Sequence, residues 1–295
     1  MKQLVLYCKS YPTDLKRVVR LAHSVKQYNQ ERLPFYVSVQ AKDAALFREH
    51  LGQLDVKLID DEDIICASPR PELDRIEKLA GSISQQIVKS EFWRLDLCES
   101  YVCLDSDAFF IRPFSAADFV APNGTPYTVI DEAHDILEGA LLQRRSRVLT
   151  AFQGEAELVQ KLFGRSGKKY SFGPFPLVWH RDVWKSLEAK YLSPRGMNFV
   201  DAITTAPIES RWYGEALLAY KAIELLPSQE FFKVYHYAWQ KDRDFRSGMT
   251  LDLLSRLYCG VIYQSAWERE MDWPEEGGGS LSRLGRRLRR KFGRI

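Results

Sequence analysis

One pair of aspartates in this sequence stands out by its surroundings. Asp105 and Asp107 follow the apolar run 101–104 and precede a second apolar run at 108–114. Carboxylates between two apolar segments must be paired, hydrogen-bonded or metal-bound, because an uncompensated charge there is costly. Alternate residues of an extended segment project on the same side, so both carboxylates could bind one hard cation such as Mg²⁺ or Mn²⁺. The pattern predicts a cation-binding turn at residues 105–107.

Histidine is the second residue type that could do chemistry here. His236 is one of five histidines and lies between aromatic residues in a strand-like run. His180 follows another apolar run and competes with it for a ligand role. A histidine in apolar surroundings is more often a satisfied structural residue, so the residues alone leave both interpretations open.

Alternating apolar segments predict the elements that position these groups. Predicted strands cover 4–8, 35–39, 56–59 and 101–104. Predicted helices cover 15–25, 43–50 and 83–99. This βαβα order indicates an α/β fold with a mainly parallel sheet and helices on both faces. Ligands of such sheets bind beyond the carboxyl ends of the strands, which draws attention to residues 9–12 and to the turn after Leu104.

Composition and charge predict a folded body and a separate tail. With 45% hydrophobic and 27% charged residues, the chain is neither disordered nor a disulfide scaffold. Seven of the 42 basic residues lie at 283–295, so the rest of the chain has 35 basic against 39 acidic residues. We predict a catalytic domain at 1–273, a Glu/Gly-rich hinge at 274–280 and a basic amphipathic helix at 281–295.

The predicted tail helix has an apolar stripe beside its arginines. The stripe includes Leu284, Leu288 and Phe292, and the basic face includes Arg286, Arg287 and Arg290. Such a helix binds an anionic membrane surface, with leaflet charge attracting the arginines while the apolar face is buried. Docking on the chain's own body or on a second subunit is the alternative. Nucleic acid is not an expected partner, because contact with it would not require so regular an apolar stripe.

Other features favour the cytoplasm. The apolar runs are shorter than a membrane span requires, and the first residues do not resemble a signal peptide. Five cysteines without a Cys-x-x-Cys pair indicate reduced thiols. We therefore expect a cytoplasmic protein peripherally associated with the inner face of the plasma membrane.

Residues 101–110 resemble the strand and Asp-x-Asp signature of GT-A-fold, nucleotide-sugar-dependent glycosyltransferases of the bacterial cell-envelope type. The resemblance covers residues 3–241 and implies a single GT-A-like (Rossmann-like) domain, followed here by the basic tail. Segment 233–241 is similar to the His-aromatic segment of glycogenin-like members. The resemblance implies that Asp105, Asp107 and His236 hold Mn²⁺ or Mg²⁺ on the sugar-nucleotide diphosphate, with the metal as Lewis acid.

The resemblance also implies donor contacts. Lys9 and Lys89 are candidate contacts to the diphosphate or base, and Tyr11 is a candidate to stack on the nucleobase. Ser106, inside the Asp-x-Asp motif, is a further donor-binding candidate. Basic groups near the diphosphate are expected because negative charge develops on the leaving phosphate.

Glu215 is the candidate catalytic base. Segment 212–215 resembles the Gly-Glu-Asp helix start that carries the base of inverting GT-A enzymes, but Ala216 stands where that pattern has Asp. Either Glu215 serves as base, or the enzyme is retaining and needs none. Glu209 and Asp201 are weaker candidates, and a first-turn acid favoured by the helix dipole is the structural alternative.

Together these features predict a metal-dependent glycosyltransferase of the hexosyltransferase type. It would move a sugar from a nucleotide-diphosphate donor to a glycan or lipid-linked acceptor at the cytoplasmic membrane face, as in lipopolysaccharide, capsule or related envelope glycans. Two other functions stay open. One is a phosphohydrolase of the haloacid dehalogenase type with Asp105 as nucleophile, and the other is a non-catalytic peripheral membrane adaptor.

Overall fold

The strands of the protein are distributed over three sheets. A computed structural model describes residues 2–142 and 144–264. Within these residues the strands are β1 Lys2–Lys9, β2 Phe35–Val39, β3 Val56–Asp60, β4 Cys98–Leu104, β5 Ala108–Phe110, β6 Tyr127–Val129, β7 Leu177–His180, β8 Leu226–Ser228, β9 Phe232–Tyr235 and β10 Gly260–Tyr263.

The central sheet has the strand order β3-β2-β1-β4-β7. Strands β1 to β4 are parallel, and β7 joins β4 in the antiparallel direction. From β1 the chain moves outward to β2 and β3 and then returns to place β4 on the other side of β1. The gap between β1 and β4 is therefore the topological switch point, where ligands of open α/β sheets bind.

Helices cover both faces of this sheet. They are α1 Leu15–Tyr28, α2 Ala44–Leu51, α3 Asp61–Cys66, α4 Leu73–Glu77, α5 Gly81–Glu91, α6 His134–Leu142, α7 Ser146–Leu162, α8 Arg181–Leu187, α9 Phe199–Thr205, α10 Glu209–Tyr220, α11 Ala238–Arg246 and α12 Leu251–Ser255. Helix α8 continues into a π-helical turn at Glu188–Leu192. Helices α1 and α2 each bury an apolar stripe that their spacing predicts.

Two small sheets flank the central one. Strands β5, β10 and β9 form the first, and β6 pairs with β8 in the second. Strand β5 begins directly after the Asp-x-Asp turn, where the amide of Ala108 donates to the carbonyl of Asp105 at 3.0 Å. The turn thus connects the central sheet to the β5-β10-β9 sheet, and both of its flanking strands are buried.

The predicted fold class is confirmed: a single α/β domain with a mainly parallel central sheet flanked by helices. The predicted helix at 83–99 is shorter, because α5 ends at Glu91 and a 3-10 turn, Phe92–Leu95, leads into β4. Within the described residues no helix is both long and apolar enough to cross a membrane. The predicted hinge at 274–280 and tail helix at 281–295, with its membrane residues, lie outside the described residues.

Candidate active site

The carboxyl ends of β1 and β4 lie side by side. Their register pairs Cys8 with Leu104, so the residues that follow each strand leave the sheet together. The hydroxyl of Ser106 donates to the hydroxyl of Ser10 at 3.1 Å. Residues 9–12, which include the predicted donor contacts Lys9 and Tyr11, are therefore in direct contact with the Asp-x-Asp turn at the switch point.

Lys89 reaches this edge from helix α5. Its ammonium lies 2.6 Å from Oδ1 of Asp105 and 3.7 Å from Oε1 of Glu209. Lys89 is only 2% exposed, and burial by itself lowers the pKa of the ammonium. The carboxylates of Asp105 and Glu209 outweigh burial, so the pKa of Lys89 lies well above its ordinary value. Lys89 is a permanent cation that orients the first Asp of the motif.

Lys9 forms the second buried pair of the site. Its ammonium lies 2.9 Å from Oδ2 of Asp61 and 3.6 Å from the ring centre of Tyr11. Burial lowers the pKa of Lys9 and raises that of Asp61, while the ion pair opposes both shifts. The Tyr11 hydroxyl donates to the carbonyl of Gly81 at 2.8 Å, which fixes its ring at the start of α5.

We call six charged residues the switch-point cluster: Lys9, Asp61, Lys89, Asp105, Asp107 and Glu209. The second Asp of the motif is buried, and the guanidinium of Arg20 donates to the backbone carbonyl of Asp107 at 3.1 Å. Even with Arg20 counted, four carboxylates face three cations. The cluster therefore keeps an excess of negative charge.

A small cavity adjoins the cluster on the side of β1 to β3. Its volume is about 230 Å³, and Tyr11, Gln40, Asp61 and Val88 contribute to its lining. Asp61 pairs with Lys9, so the cavity is lined by one member of a buried ion pair of the cluster. Its lining combines apolar side chains with polar ones, three of which are acidic.

A large cavity of about 690 Å³ adjoins the cluster on the other side. Phe175 lines it and also places its ring centre 4.4 Å from the ammonium of Lys89. Ile208 and Ser210, the neighbours of Glu209, line it as well. The switch-point cluster therefore lies between the two cavities, in contact with the lining of each.

His236 lies in the wall of the large cavity, directly after β9. The imidazole is buried, and its Nδ1 has no hydrogen-bond partner among the residues described. Burial lowers the pKa of His236 to about 4, so the ring is neutral at pH 7 and able to act as a ligand or acceptor. Its grouping with Asp105 and Asp107 around one metal stays a prediction.

Glu215 pairs with Arg165 and not with a residue of the switch-point cluster. Both of its carboxylate oxygens accept from the guanidinium of Arg165, at 2.6 Å each, and the side chain is buried. Like Glu209, it lines neither of the two cavities, but unlike Glu209 it has no contact with Lys89 or Asp105 in the switch-point cluster. Gly214 packs so closely on Phe172 that an added Cβ would lie 2.1 Å from the phenyl ring. This geometry favours a structural role for 214–215, and the role of Glu215 as base stays a prediction.

The donor set of the site decides how a divalent cation could be bound. Among residues 2–142 and 144–264, no three His, Cys, Asp or Glu side chains are grouped closely enough to hold a metal ion. Mg²⁺ is commonly bound through one or two carboxylates together with substrate phosphates, so a complete protein cage is not needed. Asp105 and Asp107, with the excess negative charge of the switch-point cluster, fit that manner of binding.

Three residues of this region were missed or undervalued in the sequence. Asp61 directly follows β3. The expectation that ligands bind beyond the carboxyl ends of the strands, which indicates Lys9 and Asp105, also applies to Asp61. Glu209 was a weaker candidate than Glu215, yet the structure places it beside Lys89 and Asp105. Arg211 lines the large cavity, and nothing in its sequence surroundings marks it.

Comparison with known proteins identifies a family. The chain belongs to the family of unknown function DUF6492, whose family model matches residues 4–242. A solved structure of mouse xyloside xylosyltransferase 1, in its apo form, is similar with a TM-score of 0.47 and 8% sequence identity. The match covers 90% of this chain and 98% of that one. No protein with a curated description matches the sequence.

Proposed function

We propose that this protein is a metal-dependent glycosyltransferase that uses a nucleotide-diphosphate sugar. The observation that carries the proposal is the position of the Asp105-Ser106-Asp107 turn. It lies at the switch point of the sheet, and its first carboxylate is held 2.6 Å from Lys89. Lys89 contacts Phe175 in the lining of the large cavity, and Asp61 of the same cluster lines the small one. A two-substrate transfer requires two such spaces on either side of the reacting group.

The donor's base is assigned to the small cavity, with Tyr11 and Asp61 in its wall. Its diphosphate would then extend toward the Asp-x-Asp turn. A diphosphate is repelled by the excess negative charge of the switch-point cluster unless a cation accompanies it. Asp105 and Asp107 would hold Mn²⁺ or Mg²⁺, which supplies charge neutralisation and Lewis-acid assistance to the leaving diphosphate.

The acceptor is assigned to the large cavity. Glu209 lies 3.7 Å from Lys89, and its sequence neighbours Ile208 and Ser210 line the cavity. Burial raises the pKa of the Glu209 carboxyl above the ordinary value. A carboxylate with a raised pKa is a better proton acceptor near neutral pH. In an inverting reaction Glu209 would take the proton of the acceptor hydroxyl, while Lys89 stays protonated and orients Asp105. A retaining reaction needs no such base.

The sequence also motivates a proposal for the acceptor class and the location. We propose a glycan or lipid-linked acceptor at the cytoplasmic face of the membrane, reached through the basic segment 281–295. The apolar and basic residues of that segment support membrane attachment because both faces are needed for binding to anionic lipid.

A turnover screen tests the proposal. The full-length protein is incubated with Mn²⁺ and a panel of UDP-, GDP- and CDP-sugars, and release of the nucleoside diphosphate is followed. We expect slow release from one donor, a loss of at least about 100-fold in Asp107→Asn, and wild-type rates in Asp74→Asn, a matched control at an exposed position.

The alternatives give different results in the same screen. Hydrolysis of a simple aryl phosphate that depends on Asp105, without any nucleotide requirement, would support the phosphohydrolase. No turnover and no nucleotide binding by a folded protein would support the adaptor. Equal donor turnover by the wild-type protein and Asp107→Asn would remove the metal-site assignment.

A further inference from the structure

Arg211 is a buried cation that the proposed reaction does not use. It lies in the first half of helix α10, two residues after Glu209, and is 1% exposed. It also lines the large cavity. A buried guanidinium is costly unless carboxylates and hydrogen bonds compensate its charge.

The protein compensates Arg211 incompletely. Nη1 donates to Oε2 of Glu155 at 3.4 Å, a long contact for a charged pair. Nε and Nη2 are buried and have no hydrogen-bond partner among the described residues. The ring of Phe152 lies 4.3 Å from the guanidinium carbon and covers one face of the group. Burial lowers the pKa of Arg211 to about 10, which leaves it charged at pH 7.

A second arginine lines the same cavity. Arg147 and Glu155 both lie on helix α7, eight residues apart and thus on one face, and both line the cavity with Phe152. Two guanidinium groups therefore come from the α7 and α10 walls. Apart from Glu155, the acids of the cavity, Asp131, Glu132, Asp135 and Glu230, come from other elements. Two of them have partners, since Asp131 accepts from Ser171 and Glu132 pairs with Lys168.

We infer that Arg211, supported by Arg147, forms an oxyanion subsite in the large cavity, for a carboxylate or phosphate group carried by the sugar acceptor. The inference rests on the proposed function only in naming the acceptor as the ligand. A guanidinium offers parallel donors that match the two oxygens of a carboxylate or phosphate, and Nε with Nη2 is such a pair of donors. The sugar hydroxyls would then meet the acidic residues elsewhere in the cavity.

Binding of three small sugars tests the inference without any turnover. Glucuronic acid, glucose 6-phosphate and glucose are titrated into the full-length protein and followed by ligand-observed NMR. We expect at least one acidic sugar to bind about tenfold more tightly than glucose. The acidic sugar that binds better identifies the anion as carboxylate or phosphate.

Two substitutions shift this preference in opposite directions. Arg211→Lys removes the paired donors and is expected to reduce the preference about tenfold. Glu155→Gln removes the carboxylate that competes for Arg211 and is expected to tighten binding of the acidic sugar about threefold. Glu157→Gln is a matched control on the same helix. Glu157 pairs with Lys161 and Lys169 outside the cavity, so this substitution should not change the binding of any of the three sugars.

The possible results separate the inference from the proposed function. No preference for acidic sugars in the wild-type protein overturns the inference, and so does an unchanged preference in folded Arg211→Lys. If Arg211→Lys does not fold, unchanged affinity in Glu155→Gln overturns it instead. An acidic-sugar preference that responds to these variants in a protein that binds no nucleotide supports the subsite and contradicts the glycosyltransferase.

Discussion

The switch-point cluster and the large cavity differ in how their buried cations are compensated. In the cluster each lysine meets a carboxylate closely, with Lys9 at 2.9 Å from Asp61 and Lys89 at 2.6 Å from Asp105. In the cavity Arg211 meets Glu155 at 3.4 Å, and two of its nitrogens have no hydrogen-bond partner among residues 2–142 and 144–264.

This difference distinguishes charged groups whose partners are in the protein, such as Lys89, from a group that a ligand could complete, which is Arg211. Buried pairs such as Lys89–Asp105 keep their geometry before any substrate arrives, which is the preorganisation that a charged leaving group needs. A buried polar group without a partner costs free energy in the unbound protein, and a ligand that completes it binds more tightly for that reason. On this account the switch-point cluster positions its carboxylates before substrate binds, and Arg211 in the large cavity binds an anionic group of the ligand.

The largest expected effect is on stability, at Lys89. Lys89→Met leaves the buried carboxylate of Glu209 and the half-buried carboxylate of Asp105 without their shared cation. We expect the free energy of unfolding to fall by about 3–5 kcal/mol, as when one partner of a buried ion pair is removed. Urea denaturation measures this free energy. Lys78→Met, a control at an exposed lysine, should change it little. Equal stability of both variants would contradict a preorganised cluster.

The next effect distinguishes two glutamates of helix α10. Glu209→Gln is expected to lower donor turnover about 100-fold, a loss of about 2.7 kcal/mol in transition-state stabilisation, because we propose Glu209 as the base and it lies 3.7 Å from Lys89. Glu215→Gln breaks the pair with Arg165 and should reduce stability with less than about a threefold change in turnover of the folded protein. The reverse pattern in steady-state kinetics would restore Glu215 as the base.

A pH titration examines the cavity through His236. The pKa of His236 is about 4 in the folded protein, below its ordinary value of 6.5, because burial disfavours the imidazolium. The unfolded chain thus binds the extra proton first, so stability rises between pH 4 and 6.5 and is lost as pH falls through that range. We expect about 2–3 kcal/mol from this group, measured by chemical denaturation in EDTA. His236→Gln should flatten the rise, and an equally steep rise in that variant would contradict a buried neutral imidazole.

The smallest effect on catalysis is expected for the C-terminal basic segment, which lies outside the described residues. Deletion of residues 277–295 should release the protein from liposomes that contain anionic lipid, because the basic amphipathic segment is gone. Turnover on a soluble acceptor should stay within about twofold, since the truncated chain keeps the whole switch-point cluster and every cavity-lining residue named above. Co-sedimentation with liposomes measures the first result, and unchanged binding would refute the membrane role of the tail.

The central sheet could be predicted because its strands are continuous apolar runs. The predicted bounds of β2 match the structure, and those of β3 and β4 differ by a few residues at most. The expectation that ligands bind beyond the carboxyl ends of the strands then located Lys9, Asp105 and Asp107 at one edge. Short strands such as β6 and β8, with three residues each, carry too little periodicity to be found in the same way.

The partners within the site could not be predicted, and helix α10 shows why. Its residues from Glu209 to Leu217 are all buried, so periodicity does not indicate which face carries the functional acid. Glu209 and Glu215 are equivalent in such a pattern, and only the tertiary contacts distinguish Lys89 from Arg165 as their partner. Arg211 is hidden for the same reason, because a buried arginine next to buried aromatics carries no sequence signal of a cavity.

The most direct test of the account is calorimetric titration of nucleoside diphosphates into the full-length protein. UDP, GDP and CDP are each titrated with Mn²⁺ and again with EDTA, into the wild-type protein and Asp107→Asn. The account predicts that one diphosphate binds the wild-type protein with Mn²⁺, and that EDTA or Asp107→Asn weakens this binding at least about tenfold. Absence of binding, or equal binding in EDTA and in Asp107→Asn, would contradict a metal-dependent donor site at the switch point.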